Sequence, residues 1–199
     1  MTATEPKRVI VFGGAFSPPT LAHEALIHEC LDLPGYDEVW LFPSGNRTDK
    51  NISVTHEHQL AMLSVLRNIV FRDNERLKID DREVKRRIAT ETDDTYRELL
   101  AENPDTAFSF VYGADSYSSI TGWQNGTWLA RNMPVLIAPR NGARLPGNNA
   151  HISILPPLSL ELQHLSSTAV RGALERGEDV STFVSEPIAT YIRDHDLFS

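Results

Sequence analysis

Short apolar runs alternate along this chain with longer stretches whose apolar residues recur at helical spacing. The strands of a parallel sheet covered by helices on both faces read as continuous apolar runs, so this alternation is typical of such sheets. The predicted strands are RVIVF from Arg8, EVWLF from Glu38, LKID from Leu77, AFSFVY from Ala107, PVLIA from Pro134 and ISIL from Ile152. The predicted helices lie near residues 21–31, 57–68, 93–102, 115–120, 169–176 and 187–195. The pattern predicts an α/β fold: a single Rossmann-like, doubly wound parallel sheet with helices on both faces and a small C-terminal helical portion.

The composition fits one globular domain, which we expect to span residues 1–199. The chain is 41% hydrophobic and 23% charged and shows neither an internal repeat nor a low-complexity tract. Its formal net charge of −8 argues against a general nucleic-acid partner, because such proteins carry basic surfaces. A polar N-terminus and the lack of an apolar run of about 18 residues predict a cytoplasmic protein without a membrane segment. The sequence leaves open whether the protein is a monomer or a homo-oligomer.

The single cysteine, Cys30, cannot form a disulfide within the chain. It falls in HEALIHECL, where the apolar residues follow helical spacing. We therefore predict that its thiol packs in the core and is not a nucleophile.

A glycine-rich loop follows the first predicted strand and reads GGAFSPPTLAHEAL. Gly13 and Gly14 allow the backbone to approach a ligand closely, and the segment from Thr20 to His23 opens the next helix. The loop is neither a G-x-G-x-x-G dinucleotide fingerprint nor a P-loop, which would end in Lys-Ser or Lys-Thr. Taken alone, it also fits a tight turn with an ordinary surface histidine.

A second polar segment, LSSTAVRGAL, lies far down the chain from Leu165. Ser166, Ser167 and Thr168 supply a hydroxyl-rich helix start, whose backbone N–H groups and dipole favour an anion. Arg171 follows one turn later. Alone, the segment fits an ordinary serine N-cap better than an anion site.

Together the two segments resemble the paired signatures of the nucleotidyltransferase superfamily, GGTFDPxHxGH and ISSTxIRxxL. Thr20 stands at the first position of the histidine tetrad, as in the phosphopantetheine adenylyltransferases of that superfamily. Ser17 in place of aspartate and Ala22 in place of glycine are departures. The Ala22 methyl group lies where phosphate would pass close to the backbone, so it could weaken ATP binding.

Over nearly its whole length the chain resembles the bacterial nicotinate mononucleotide adenylyltransferases. The matching segments are WLFPSGNRTDKN, HEHQLAMLSVL, TDDTYREL, FVYGADSYSSITGW, LIAPRNG and YIRDHDLF. Within them, Asp49 replaces a histidine of the family and Glu91 replaces a tyrosine. The resemblance implies that a pyridine mononucleotide and ATP react to give the dinucleotide and pyrophosphate in NAD biosynthesis, with Mg²⁺ carried by the ATP.

The resemblance also implies roles for individual residues. It assigns catalysis to His23, Thr20, Lys50 and Arg171. It assigns ATP binding to Gly13, Gly14, Ala15, Phe16, His23, Gly113, Asp115, Ser167, Thr168 and Arg171. It assigns the pyridine nucleotide to Ser44, Lys50, Thr92, Trp123 and Arg140.

Several alternatives stay open from the sequence. The acceptor is nicotinate mononucleotide, nicotinamide mononucleotide or phosphopantetheine, or the chain is a catalytically impaired nucleotide-binding homologue. Backbone N–H groups at a helix start near Thr92 favour a carboxylate on the ring, whereas Glu91, Asp93 and Asp94 oppose it unless they turn to solvent. No protein metal site is expected, because the His56-x-His58 pair lacks further ligands at suitable spacing. We expect the nicotinate acceptor.

Overall fold

The computed structural model describes residues 5–45, 53–86, 89, 91–147 and 149–198. These residues form a six-stranded sheet, and every strand pair in it is parallel. The strands are β1 Lys7–Gly14, β2 Glu38–Pro43, β3 Leu77–Ile79, β4 Thr106–Gly113, β5 Val135–Ala138 and β6 Ile152–Ile154. Their order in the sheet is β3-β2-β1-β4-β5-β6. All six predicted strands are confirmed.

The helices pack around this sheet and continue beyond its last strand. They are α1 Leu21–Asp32, α2 His56–Val65, α3 Arg82–Lys85, α4 Thr92–Glu102, α5 Ala114–Tyr117, α6 Gly126–Asn132, α7 Leu160–His164, α8 Ser167–Glu175 and α9 Glu186–Asp194. A π-helical turn extends α2 over Leu66–Val70, and a 3₁₀ turn, Ile120–Gly122, follows α5. The sequence missed α3, α6 and α7, which have four, seven and five residues and so are too short to show apolar residues recurring at i, i+3, i+4 and i+7.

The core lies on both sides of the sheet, because successive residues of β1 point to opposite faces. Ile10 and Phe12 join an apolar cluster with α1, α2, α8 and α9. Val9 and Val11 join a second cluster with α4, α5 and α6. Four consecutive positions of this strand are therefore buried and apolar, as expected where helices cover both faces.

Cys30 is fully buried in the first of these clusters. Burial, together with a smaller effect of the neighbouring Glu29, raises the pKa of the thiol to about 12. A thiol that stays protonated is not a nucleophile, so the predicted packing role is confirmed.

The chain changes direction across the sheet between β1 and β4. After β1, strands β2 and β3 add successively on one side of it. The chain then returns to the centre, where β4 pairs with the other side of β1, and β5 and β6 add beyond β4. The carboxyl ends of the two central strands, at Gly14 and Gly113, therefore diverge into crossovers on opposite sides. Ligands of doubly wound sheets bind outside such a reversal point. Within the described segments no helix is long and apolar enough to cross a bilayer.

Glu38 begins β2 and lies between lysines of both neighbouring strands. Its carboxylate contacts the Nζ atoms of Lys7 at 2.8 Å and Lys78 at 2.5 Å. It also accepts a hydrogen bond of 2.7 Å from Nε1 of Trp40. Burial acts to raise the pKa of this carboxyl, but the hydrogen bonds and positive charge outweigh burial and lower its pKa to about 2.

The low pKa of Glu38 predicts how stability changes with pH. A carboxyl whose pKa is lower in the folded protein stabilises it above the ordinary value of 4.5, and this contribution is lost as the pH falls from there towards 2. We expect Glu38→Gln to lower Tm by about 3 °C at pH 7, because both lysines are partly exposed and a screened pair contributes about 1 kcal/mol. The difference from wild type should shrink as the pH falls below 4.5.

Thermal unfolding of wild type and Glu38→Gln at a series of pH values checks this prediction. Glu161→Gln, which removes an exposed carboxylate, serves as the control and should leave Tm nearly unchanged. A Tm difference for Glu38→Gln that stays constant down to pH 3 would contradict the role of the carboxylate charge.

Candidate active site

A cavity of about 490 Å³ opens at the carboxyl ends of β1, β4 and β5, and the start of α8 forms one of its walls. Its volume is in the range of small-molecule binding sites. It gathers every residue that the resemblance assigns to ATP, together with two of those assigned to the pyridine nucleotide: Gly13, Gly14, Ala15, Phe16, His23, Gly113, Asp115, Ser167, Thr168, Arg171, Trp123 and Arg140. The fold thus brings the two sequence signatures to one place.

His23 lies in the first turn of α1 and lines this cavity. The backbone N–H of Thr20 donates to His23 Nδ1 at 3.0 Å, and the Thr20 hydroxyl lies 2.8 Å from the same nitrogen. Because Nδ1 accepts, the neutral ring carries its hydrogen on Nε2, which makes Nε2 the donating nitrogen. Thr20 is fully buried behind the ring, so its position fits an orienting role towards His23.

The glycine loop is shaped around the ring of Phe16. Phe16 adopts a left-handed backbone conformation with φ of 45°, which is unfavourable for a bulky residue. Its ring centroid lies 5.1 Å from that of His23. A side chain at Gly14 would place its Cβ 3.0 Å from the Phe16 ring, so any other residue would force this ring to shift by a few tenths of an ångström. Strained backbone of this kind is often found at functional sites.

Two departures from the superfamily signature lie in or beside the same loop. Ser17 is fully buried, and its hydroxyl accepts a hydrogen bond from the Ser53 N–H at 3.3 Å. This contact ties the loop to the chain ahead of α2. Ala22 lines the cavity and is 7% exposed, so its methyl group faces the space beside His23.

The start of α8 is fastened to the glycine loop by side chains about 150 residues away in sequence. Ser167 Oγ donates to the carbonyl of Pro18 at 2.8 Å. Arg171 donates from Nη1 to the carbonyl of Ser17 at 2.8 Å and from Nη2 to Thr168 Oγ1 at 3.2 Å. The helix start therefore directs its positive dipole end and a guanidinium towards the cavity that His23 lines.

The end of β4 forms the opposite side of the cavity. A Cβ at Gly113 would overlap Oδ1 of Asp115, so the carboxylate takes the place of a side chain there. Arg140 Nε lies 4.0 Å from the same oxygen. Arg140 also donates from Nη1 to the carbonyls of Gln163 at 2.9 Å and Leu165 at 3.3 Å. Arg140, assigned by resemblance to the pyridine nucleotide, thus lies with Gly113 and Asp115, next to the chain that leads into α8.

Ser44 and Thr92 line a separate, smaller recess of about 40 Å³. This recess shares Gly13 and Tyr112 with the larger cavity, so the two are neighbours. Trp123 lines the larger cavity, and its ring centroid lies 5.2 Å from that of Tyr112. Tyr112 was not among the predicted site residues. Its position near the carboxyl end of β4, where ligands of such sheets bind, could have indicated it. Lys50 lies outside the described residues.

The acidic residues at the start of α4 are held by local donors. The carboxylate of Asp93 accepts from Arg97 Nε at 2.9 Å and from Asn125 Nδ2 at 2.5 Å. Asp94 accepts from the N–H of Glu91 at 3.1 Å. Asp94 is exposed, as expected for a helix start that can bind a carboxylate, whereas Asp93 is buried and its charge is compensated by Arg97 instead of by solvent.

Glu83 is an acidic residue of the recess that sequence reasoning missed. It lines the recess with Thr92, and its Oε1 accepts a hydrogen bond of 2.9 Å from Thr95 Oγ1. Glu83 belongs to the four-residue helix α3, and nothing in the local sequence DREVKRR distinguishes it from an exposed acid.

Within the part of the chain that the structure describes, no three His, Cys, Asp or Glu side chains converge as metal ligands do. His58 of the H-x-H pair instead has its Nδ1 3.0 Å from the hydroxyl of Tyr191. That Mg²⁺ arrives with the triphosphate therefore stays a prediction, based on the preference of this ion for phosphate and water oxygens.

Comparison with known proteins identifies the class to which this fold and site belong. Residues 11–173 match the model of the cytidylyltransferase-like family. The chain therefore belongs to the cytidylyltransferase-like family of nucleotidyltransferases. A relative from Albidiferax ferrireducens is 30% identical over 198 residues, which cover 96% of this chain and 98% of the relative. A relative from Salinibacter ruber is 28% identical, with coverages of 94% and 96%.

Both relatives bear the name "Probable nicotinate-nucleotide adenylyltransferase", which confirms the resemblance noted from the sequence motifs. Among solved structures, the nicotinic acid mononucleotide adenylyltransferase of Plasmodium falciparum complexed with NaAD matches with a TM-score of 0.83. It is 22% identical, and the match covers 96% of this chain and 97% of that one. This likeness confirms the doubly wound α/β fold.

Proposed function

We propose that this protein is an adenylyltransferase that joins nicotinate mononucleotide and ATP to form deamido-NAD and pyrophosphate, a step of NAD biosynthesis. The observation that carries the proposal is the meeting of His23 with the start of α8 around one cavity at the reversal point of the sheet. Such a meeting supplies oriented donors for a triphosphate without a covalent nucleophile.

The reaction is an in-line displacement at phosphorus. An oxygen of the mononucleotide 5′-phosphate attacks the α-phosphorus of ATP. The bond between this phosphorus and the oxygen that bridges to the β-phosphorus breaks, and pyrophosphate leaves with the electron pair. Negative charge grows on the α-phosphate oxygens and on the leaving group, so positioned donors lower the barrier. Bound Mg²⁺ would supply further neutralisation of the triphosphate charge.

The residues of the larger cavity divide this work. His23 Nε2 donates to an α-phosphate oxygen, with its tautomer set by the Thr20 N–H. The backbone N–H groups at the start of α8, with Arg171, hold the β- and γ-phosphates. Asp115 accepts a hydrogen bond from a ribose hydroxyl. Mg²⁺ needs no cluster of protein ligands in this arrangement, because the triphosphate and water supply its oxygens.

The acceptor binds towards the recess. The helix start at Thr92 offers backbone N–H groups to the ring carboxylate, and its hydroxyl is a further donor. Pairing of Asp93 with Arg97 and Asn125 reduces the repulsion that this acid would otherwise exert. Trp123 offers an aromatic face to the ring. Nicotinamide mononucleotide is the second candidate, because the Glu83 carboxylate in the recess is suited to accept from a carboxamide N–H.

The test is a pyrophosphate-release assay with saturating ATP and three acceptors: nicotinate mononucleotide, nicotinamide mononucleotide and phosphopantetheine. We expect kcat/KM to favour nicotinate mononucleotide by at least about tenfold, since donors built for a carboxylate discriminate against the neutral amide. A preference for nicotinamide mononucleotide would show that Glu83 governs the ring site. Turnover with phosphopantetheine alone, or with none of the three, would contradict the proposed function.

A further inference from the structure

Gln59 lies on α2, where it is fully buried. Its side-chain Nε2 donates to the carbonyl of Ala15 at 2.6 Å and to the carbonyl of Ser44 at 3.2 Å. Ala15 belongs to the glycine loop after β1, and Ser44 belongs to the loop after β2. One side chain therefore connects the loop of the nucleotide cavity to the loop of the acceptor recess.

The orientation of this amide follows from its partners. Two backbone carbonyls only accept hydrogen bonds, so the NH₂ group of Gln59 must face them. Its Oε1 is then left buried and without a hydrogen-bond partner among the described residues. A buried acceptor without a partner costs stability, and a methionine of similar shape would avoid that cost in a purely apolar core. The two donated bonds are thus what distinguishes glutamine from an apolar residue here.

The two loops that Gln59 joins carry the two reactants. The loop after β2 also contacts the end of β1 directly, because the Ser44 N–H donates to the carbonyl of Gly14, the last residue of β1, at 2.8 Å. In-line attack depends on the distance and angle between the two phosphates, and small errors in placement are costly in rate. A link that holds both loops therefore affects the reaction without touching either substrate.

We infer that Gln59 is a positioning residue, which holds the nucleotide loop and the acceptor loop at the separation needed for attack on the α-phosphorus. It acts through the main-chain carbonyls of Ala15 and Ser44. The inference rests on the proposed function for its chemistry, whereas the link itself is a property of the fold.

Two variants and a matched control test this inference. Gln59→Met keeps the approximate shape and removes both donors, and Gln59→Asn keeps an amide that is one methylene too short to reach both carbonyls. Ser64→Ala is the control, since Ser64 lies on the same helix and its hydroxyl donates within that helix, to the carbonyl of Leu60. We expect Gln59→Met to lower kcat about tenfold with less than about a threefold change in the ATP KM. Gln59→Asn should show a smaller fall and Ser64→Ala none.

A purely structural role would give a different result: a lower Tm with unchanged kcat in the folded protein, which would overturn the inference. A second measurement does not depend on catalysis. Amide hydrogen exchange at Ser44 should be about ten times faster in Gln59→Met, or in Gln59→Asn should the first variant fail to fold, than in wild type or Ser64→Ala. Unchanged exchange overturns the inference. If wild type turns over none of the three acceptors, the proposed function fails while the exchange result still decides whether Gln59 couples the loops.

Discussion

His23→Ala is expected to lower kcat by about 100- to 1,000-fold, the loss seen when one oriented transition-state donor is removed. The expectation follows from the tautomer that the fold imposes. The Thr20 N–H occupies Nδ1 at 3.0 Å, so Nε2 carries the hydrogen that is donated to the α-phosphate. A group that acts on charge developing in the transition state affects kcat more than the KM of either substrate.

Two further variants distinguish the loss of the Nε2 donor from a disturbance of the start of α1. His23→Asn keeps an acceptor near the position of Nδ1 for the Thr20 N–H but has no donor at the position of Nε2. It should lose as much kcat as His23→Ala while losing less stability. His28→Ala removes an exposed histidine of the same helix, packed against Phe71, and should leave kcat unchanged. Near-normal kcat in His23→Ala would contradict the assignment of His23 as the donor to the α-phosphate.

The second large effect is expected in ATP binding. Replacing Thr168 and Arg171 together with alanine should raise the KM for ATP about 30- to 100-fold, with less than about a threefold change for the acceptor. Charge-assisted hydrogen bonds to phosphate contribute about 1.5–3 kcal/mol, which is about a 10- to 150-fold change in affinity, and the expected increase lies within that range. Steady-state kinetics with each substrate varied in turn give the two values.

Arg171 has a second role that the experiment must separate. It donates to the carbonyl of Ser17, so its loss also loosens the glycine loop. Thr168→Ala alone leaves that contact in place and should still raise the ATP KM, by a smaller factor. Arg176→Ala, at the exposed end of the same helix and paired with Glu178, is the matched control and should change neither KM. Equal increases for ATP and acceptor would count against the division of roles.

Features that depend on local sequence pattern could be predicted before the structure was known. The six strands were predictable because a parallel strand buried on both faces must be apolar at successive positions, as in β1. The helix starts that present His23 and Thr168 were predictable because capping and glycine-rich segments have local signatures. The two signatures also indicated the same chemistry before any contact between them was known, and family comparison confirmed the family.

Which side chains meet across the sheet depends on how distant segments of the chain pack together. The link from Gln59 to the carbonyls of Ala15 and Ser44, and the position of Arg140 beside Asp115, join residues that are far apart in the chain. Glu83 in the acceptor recess belongs to the same group. Such contacts leave no trace in local periodicity, because a polar residue directed into a site and one directed to solvent have the same sequence pattern. Burial and partner atoms distinguish them, and both arise only when distant segments pack together.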